Sequence, residues 1–280
     1  MRRTGVVAAV ALVAMVAALG GWRLAGGSGG RSAAAPLPDP AASPPTRGPG
    51  TVPAPTTTAT TEATVADPGG SRLRVGTAHP VTSPALVADA VGPSVALYSA
   101  PGDDEPGDVM ANPTWEGLPV VFLVMAQQGD WVQVQVSRRP NEATAWVKAA
   151  DVTLRSDPYM ITVDSSAHRL TLTDGTTTLL DVPVAVGTGG TPTPTGTFFL
   201  DGAARPPDPG GPYGAYELSV AAFSDVLTSF GGGNGQIAIH GTNAPGLVGS
   251  AVSHGCVRMT NADVTTVATT VPVGTPVEIR

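Results

Sequence analysis

The distribution of apolar and polar residues divides the chain into four stretches. The first is a nearly uncharged run from Thr4 to Trp22, set behind Arg2 and Arg3, and it approaches the roughly 20 residues a bilayer-spanning helix needs. It predicts an export segment over residues 1–25, either a retained signal anchor or a cleaved signal peptide. Residues 26–71 are Gly/Ser-rich, then Pro-rich, then Thr-rich, with no apolar period. They predict a disordered, extended linker. Residues 72–157 carry short apolar runs between turn formers: Ser94–Tyr98, Pro119–Met125, Trp131–Val136 and Ala145–Val147. In the third run Trp131, Gln133 and Gln135 alternate with Val132, Val134 and Val136, the period of a half-buried strand. Ala100–Asp104, Gln128–Asp130 and Arg138–Glu142 suit hairpins and loops, and together these signals predict a small β-barrel.

Residues 158–280 again read as strands, at Met160–Val163, Arg169–Thr173, Leu179–Val186, Thr197–Leu200, Tyr216–Leu218, Gln236–His240 and Val277–Ile279. Asp174-Gly175 is a hairpin turn. One helical pattern stands out, Asn261–Thr269, with Thr260 or Asn261 as cap and Val264, Val267 and Ala268 as its apolar face. The chain therefore reads as two all-β units joined near Arg155–Pro158. Gly231–Gly235 precedes a strand and lacks a following Lys-Ser/Thr pair, so it is a turn and not a phosphate cradle.

Composition sharpens this picture. The 280 residues include 35 Gly and 28 Pro, which disfavours a helical bundle. A net charge of −7, from 15 basic and 22 acidic residues, argues against nucleic acid as a partner. Arg2 and Arg3 precede the apolar run and no basic cluster follows it, which directs the rest of the chain out of the cytoplasm. Ser32–Ala35 is a candidate cleavage site. The single cysteine, Cys256, excludes an intrachain disulfide and a lipid-anchored cysteine directly after the apolar run.

That cysteine lies close to two of the four histidines, in Ile237-Ala238-Ile239-His240-Gly241 and Ser253-His254-Gly255-Cys256-Val257-Arg258. Three chemistries fit. A neighbouring imidazole, with Arg258 nearby, lowers a thiol pKa and makes a nucleophile. His240, His254 and Cys256 together are donors for a zinc ion with an open fourth position, although His-x-Cys is a tight ligand spacing. A lone cysteine is also commonly a buried, inert thiol. Gly255 lets the backbone approach a substrate closely, and amides beside Cys256 suit an oxyanion.

The tract IHGTN followed by SHGCVRM, with Thr193-Pro194-Thr195-Gly196-Thr197-Phe198 upstream, resembles the L,D-transpeptidase (YkuD-type) catalytic domain of bacterial cell-wall enzymes. The tract from Ser94 to Val152 resembles the SH3-like modules that accompany such enzymes, including actinobacterial ones. The resemblance implies an all-β fold: a YkuD-like β-sandwich with one or two short helices over 158–280, preceded by an SH3-like β-barrel over 72–157. It implies Cys256 as nucleophile, His240 as general base and acid, and the Gly241 carbonyl as the imidazole's orienting partner. Gly255 and His254 would shape the oxyanion and acceptor side, with Ser253 and Arg258 supporting the loop or meeting a substrate carboxylate. Many family members carry another hydroxyl residue directly after the base, where this chain has Gly241.

The implied reaction is 3→3 cross-linking of diaminopimelate-containing peptidoglycan tetrapeptide stems through a thioester, with no metal and no cofactor. Water as acceptor would make the protein an L,D-carboxypeptidase, and a protein amine would attach that protein to the wall. Carbapenems are the implied covalent inhibitors. The expected location is outside the cytoplasm in the cell wall, tethered to the membrane if the amino-terminal segment is uncleaved. A non-catalytic wall-binding protein is the alternative from another class.

Overall fold

Strand pairing in the first region starts from short hydrophobic runs that cannot be buried one at a time. The computed structural model describes residues 74–75 and 83–280; the expected export segment (1–25) and linker (26–71) lie outside the described residues. The strands are β1 (Arg74–Val75), β2 (Ala85–Ala90), β3 (Ser94–Leu97), β4 (Asp108–Ala111), β5 (Val121–Gln128), β6 (Trp131–Gln135), β7 (Ala143–Lys148) and β8 (Val152–Asp157). Six of them form a sheet in the order β1-β7-β6-β5-β2-β8, and β3 pairs with β4 as a separate ribbon. The alternation read in the sequence sends Val132 and Val134 of β6 into a core with Leu97, Phe122 and Val147. Gln135 departs from it: the side chain is 2% exposed because its Nε2 donates to Thr197 O in the second region at 2.7 Å.

Among the described residues β1 and β8 stand at opposite ends of the strand order and do not pair, while Tyr98, just after β3, bridges Trp146 of β7, so strand pairing ties the ribbon to the sheet without itself closing a barrel. The chain passes from the first region to the second at Arg155–Pro158 without an intervening loop. Arg155 and Asp157 lie inside β8, which runs through Pro158 directly into the next strand. Asp157 is fully buried and accepts a hydrogen bond from Thr275 Oγ1 at 2.8 Å.

The second region comprises β9 (Tyr159–Asp164), β10 (Arg169–Asp174), β11 (Thr177–Pro183), β12 (Val186–Gly187), β13 (Gly196–Ala204), β14 (Glu217–Phe223), β15 (Gln236–His240), β16 (Ala251–Ser253), β17 (Val257–Arg258), helix α1 (Asn261–Thr270) and β18 (Pro276–Ile279). Eight strands form one sheet in the order β11-β10-β9-β18-β13-β14-β15-β17, while β12 pairs with β16. Leu170 and Leu172 of β10 share one buried core with Ile237 and Ile239 of β15, Val257 of β17, and Val264 and Val267 of α1. Strands so far apart in the order meet one core only if the sheet curls. The domain is therefore a curled, half-barrel sheet with one α-helix among the described residues, in place of the stacked sandwich expected. Thr260 caps the helix, its Oγ1 accepting from the Asp263 amide at 3.2 Å. The strand expected over Leu179–Val186 is interrupted after Pro183 and resumes at Val186.

The two regions share a buried cluster of Ala85, Val121 and Leu123 with Phe199 and Ala221. Among the described residues, no helix is long and apolar enough to cross a membrane.

Candidate active site

The period of two along a strand decides which residues can do chemistry. Leu218 and Val220 of β14, Ile237 and Ile239 of β15, and Val257 of β17 all enter the core. The residues between them, Glu217 and Ser219, Ala238 and His240, and then Arg258, must occupy the opposite face. Pairing aligns them: Glu217 is opposite His240 across β14 and β15, and Arg258 is opposite His240 across the parallel β15 and β17. Cys256 ends the loop that leads into β17, and the Ala238 backbone beside it favours the thiolate. The sheet thus brings Cys256, His240 and Arg258 to one face.

His240 is 3% exposed, and its Nδ1 lies 2.6 Å from Gly241 O. A carbonyl oxygen only accepts, so Nδ1 carries the proton and a neutral ring keeps the Nε2 lone pair. Burial pulls the imidazole pKa down to about 4, assisted by the Arg258 cation and opposed by the Gly241 hydrogen bond. The ring is therefore neutral around pH 7. Tyr213 packs beside it, the ring centroids 5.0 Å apart.

Gly241 has a steric explanation. Asn261 Oδ1 accepts the amides of Ala215 at 3.1 Å and Thr242 at 3.2 Å, and a Cβ at position 241 would collide with that oxygen. The space a side chain would fill directly after His240 is already taken by this clamp.

The loop that ends at Cys256 is held from within. Ser253 is buried; its Oγ donates to Cys256 O at 2.6 Å and accepts from the Gly255 amide at 3.1 Å. Gly255 has φ +122°, a conformation that L side chains rarely adopt, and a Cβ there would lie 2.9 Å from Ile237 Cδ1. The Gly255 amide, expected to face an oxyanion, is thus engaged by Ser253. Cys256 keeps some exposed surface, yet the protein crowding its sulfur raises the thiol pKa; Glu217 adds to the rise, and the Ala238 backbone and Arg258 oppose it. The lowered thiol pKa expected from a nearby imidazole is not found, because burial outweighs the cation. Arg258 Nε is buried with no hydrogen-bond partner.

His254 does not join this group. It is exposed and stacks on Phe230, centroids 4.8 Å apart and planes 30° from parallel. The zinc arrangement needs His254 beside His240 and Cys256, and among the described residues no three His, Cys, Asp or Glu side chains are grouped to hold a metal ion.

Four neighbours escaped sequence reasoning: Tyr213, Glu217, Phe230 and Asn261. Burial and the nearby Glu116 carboxylate push the Glu217 pKa up. Its place opposite His240 follows from alternation once the start of β14 is known. Asn261 was visible only as a possible helix cap. Nothing local marks Tyr213 or Phe230.

Residues 158–279 match the YkuD family, described as the L,D-transpeptidase catalytic domain. The YkuD protein of Bacillus subtilis is 43% identical over 123 residues, which is 44% of this chain and 66% of that protein. Its counterpart in Bacillus licheniformis is 41% identical over 122 residues, again 44% and 66%. The chain thus spans 66% of the length of these relatives. An L,D-transpeptidase structure from Mycobacterium smegmatis aligns with 17% identity over 58% of this chain and 90% of that one, at a TM-score of 0.36.

Proposed function

We propose that this chain, whose residues 158–279 make a YkuD-type L,D-transpeptidase catalytic domain, is a cysteine acyltransferase that forms 3→3 cross-links in peptidoglycan. The observation that carries the reading is the buried, neutral His240, pinned through Nδ1 to Gly241 O at 2.6 Å, on the sheet face that meets the Cys256 loop. Cys256 and His240 are both neutral at rest, so the proton moves during attack. Cys256 Sγ adds to the carbonyl between diaminopimelate and D-Ala of a tetrapeptide stem while His240 Nε2 takes the thiol proton. The Cys256 amide is the donor we assign to the oxyanion. Collapse breaks the amide bond, His240 returns the proton to the departing D-Ala amine, and a thioester remains. The side-chain amine of a second diaminopimelate then attacks the thioester, His240 takes its proton, and the thiol is regenerated with a new peptide bond. His254 shapes the oxyanion and acceptor side, and Arg258 supplies positive charge near the thiol.

We read residues 72–157 as an accessory module, SH3-like by the Ser94–Val152 tract, and the amino-terminal segment as the export signal or anchor that puts the enzyme in the cell wall. Incubating purified protein with tetrapeptide muropeptides tests the proposal. The expected products are 3→3 dimers and free D-Ala, in wild type and not in C256A. Tripeptides without dimers would make the protein an L,D-carboxypeptidase, and a product linked to an added protein amine would make it an attachment enzyme. No turnover would favour a wall-binding protein. Covalent modification by a carbapenem is the corresponding expectation for inhibition.

A further inference from the structure

The Arg138–Glu142 loop of the first region has no part in the chemistry above, yet it makes the densest set of polar contacts to the second region. Asn141 pairs with the end of β14 in both directions. Its Nδ2 donates to Phe223 O at 2.8 Å, and its Oδ1 accepts the Phe223 amide at 2.8 Å. Arg139 reaches three carbonyls of the next loop: Nη1 donates to Ser224 O at 2.9 Å, and Nη2 to Leu227 O at 3.1 Å and Asn234 O at 3.2 Å. Its guanidinium also lies over the Phe223 ring, 5.2 Å from the centroid. Leu227 and Asn234 flank the Gly-rich tip, so one side chain closes the loop at both ends. At that tip Phe230, 47% exposed, stacks on His254, two residues before Cys256.

The tip itself is a tight turn, Phe230 and Gly233 exchanging both backbone hydrogen bonds at 3.1 and 2.9 Å, but those bonds fix the turn and not its seat over His254, which needs contacts from outside the loop. A planar guanidinium is suited to fixing it, because several N–H groups bind carbonyls in one fixed fork, which a lysine cannot reproduce.

We infer that Arg139 and Asn141 are positioning residues: they hold the Ser224–Gly235 loop so that Phe230 packs on His254 and forms a substrate-facing wall beside the nucleophile. The first region thereby takes part in substrate binding without touching substrate. This inference rests on the acyltransferase reading for its kinetic consequence, while the placement of Phe230 is measurable without it.

Four full-chain variants, R139A, R139K, N141A and F230A, test it by two measurements. The first is the NMR shift of the His254 ring protons, which a stacked phenyl ring moves. The second is carbapenem acylation of Cys256, followed by intact mass across reagent concentrations. We expect R139A, N141A and F230A to lose the ring-induced shift. Acylation at sub-saturating reagent should slow about tenfold, with the saturated rate little changed, since a small misplacement of a binding wall costs productive encounters more than chemistry. R139K should recover only part. F230A alters an exposed side chain and so decides whether Phe230 forms a wall even if R139A fails to fold, in which case N141A and R139K decide the positioning. Acylation unchanged in F230A, or an unchanged His254 shift in a folded R139A, overturns the inference. If wild type is not acylated, the acyltransferase reading falls with its kinetic consequence, and the ring shift alone decides the positioning claim: lost in R139A and N141A it stands, retained it falls.

Discussion

The two faces of β14, β15 and β17 are made by alternate residues of the same strands, and they behave oppositely. One face is continuous hydrocarbon: Leu218, Val220, Ile237, Ile239 and Val257 join a single core. The other carries Glu217, Ser219, His240 and Arg258, and His240 there is buried, only 3% exposed. Burial on the first face removes apolar surface from water and stabilises the fold. On the second it shifts protonation, pulling His240 down and pushing Cys256 and Glu217 up. The sheet supplies the alternation, and the loops laid over its second face create the environment in which that alternation becomes chemistry.

Substitutions on the two faces should therefore separate stability from activity. The largest effects on activity belong to the polar face: C256A should abolish acylation outright while melting close to wild type in calorimetry, and H240A should slow acylation by roughly 10²–10⁴-fold. I239A, on the core face, should cost about 2–5 kcal/mol of stability in denaturant titration. Whatever fraction of I239A stays folded should still be acylated. If C256A and I239A shift the melting temperature alike, the division between the faces is wrong.

The pH dependence is smaller, and its sign is fixed by the direction of the His240 shift. The folded ring titrates near 4 against an ordinary 6.5, so as pH falls the unfolded chain takes the proton first. This contribution leaves stability flat above about pH 6.5, lowers it between 6.5 and 4, and is complete below 4. The total is on the order of 3 kcal/mol. Denaturant titrations at stepped pH should show that slope in wild type and lack it in H240Q. Smallest is the effect of Glu217, whose charge raises the Cys256 pKa. E217Q should move the pH profile of thiol alkylation toward lower pH, and a move the other way would remove Glu217 from the site.

Much of this was legible in the sequence where pattern was strong. Gln236–His240 matches β15 residue for residue, α1 runs one residue beyond its expected end, and Gly175 turns the hairpin as Asp174-Gly175 implied. The Cys256, His240 and Gly241 cluster could be picked out because a lone thiol, two histidines and flanking glycines fall close together. The strands β2, β4 and β8 escaped notice for physical reasons. Ala85–Ala90 is alanine-rich with an aspartate inside it, Asp108–Ala111 is short and largely exposed, and Val152–Asp157 carries charges that only tertiary partners satisfy. Gln135 was assigned to the outer face because alternation knows nothing of a second sheet ready to accept its amide. Tyr213, Phe230 and Asn261 act through contacts distant in sequence, which no local period encodes. The thiol pKa was expected to fall because proximity to a histidine and an arginine is visible in sequence, whereas the burial that outweighs them is not.

The central claim is that Cys256 is the nucleophile and the buried neutral His240 its base. Intact-mass analysis of wild type, C256A and H240A after incubation with a carbapenem or a tetrapeptide stem tests it most directly. The account predicts a single covalent adduct on wild type, none on C256A, and a much slower one on H240A. An adduct of equal extent on C256A, or one formed equally fast on H240A, would contradict it.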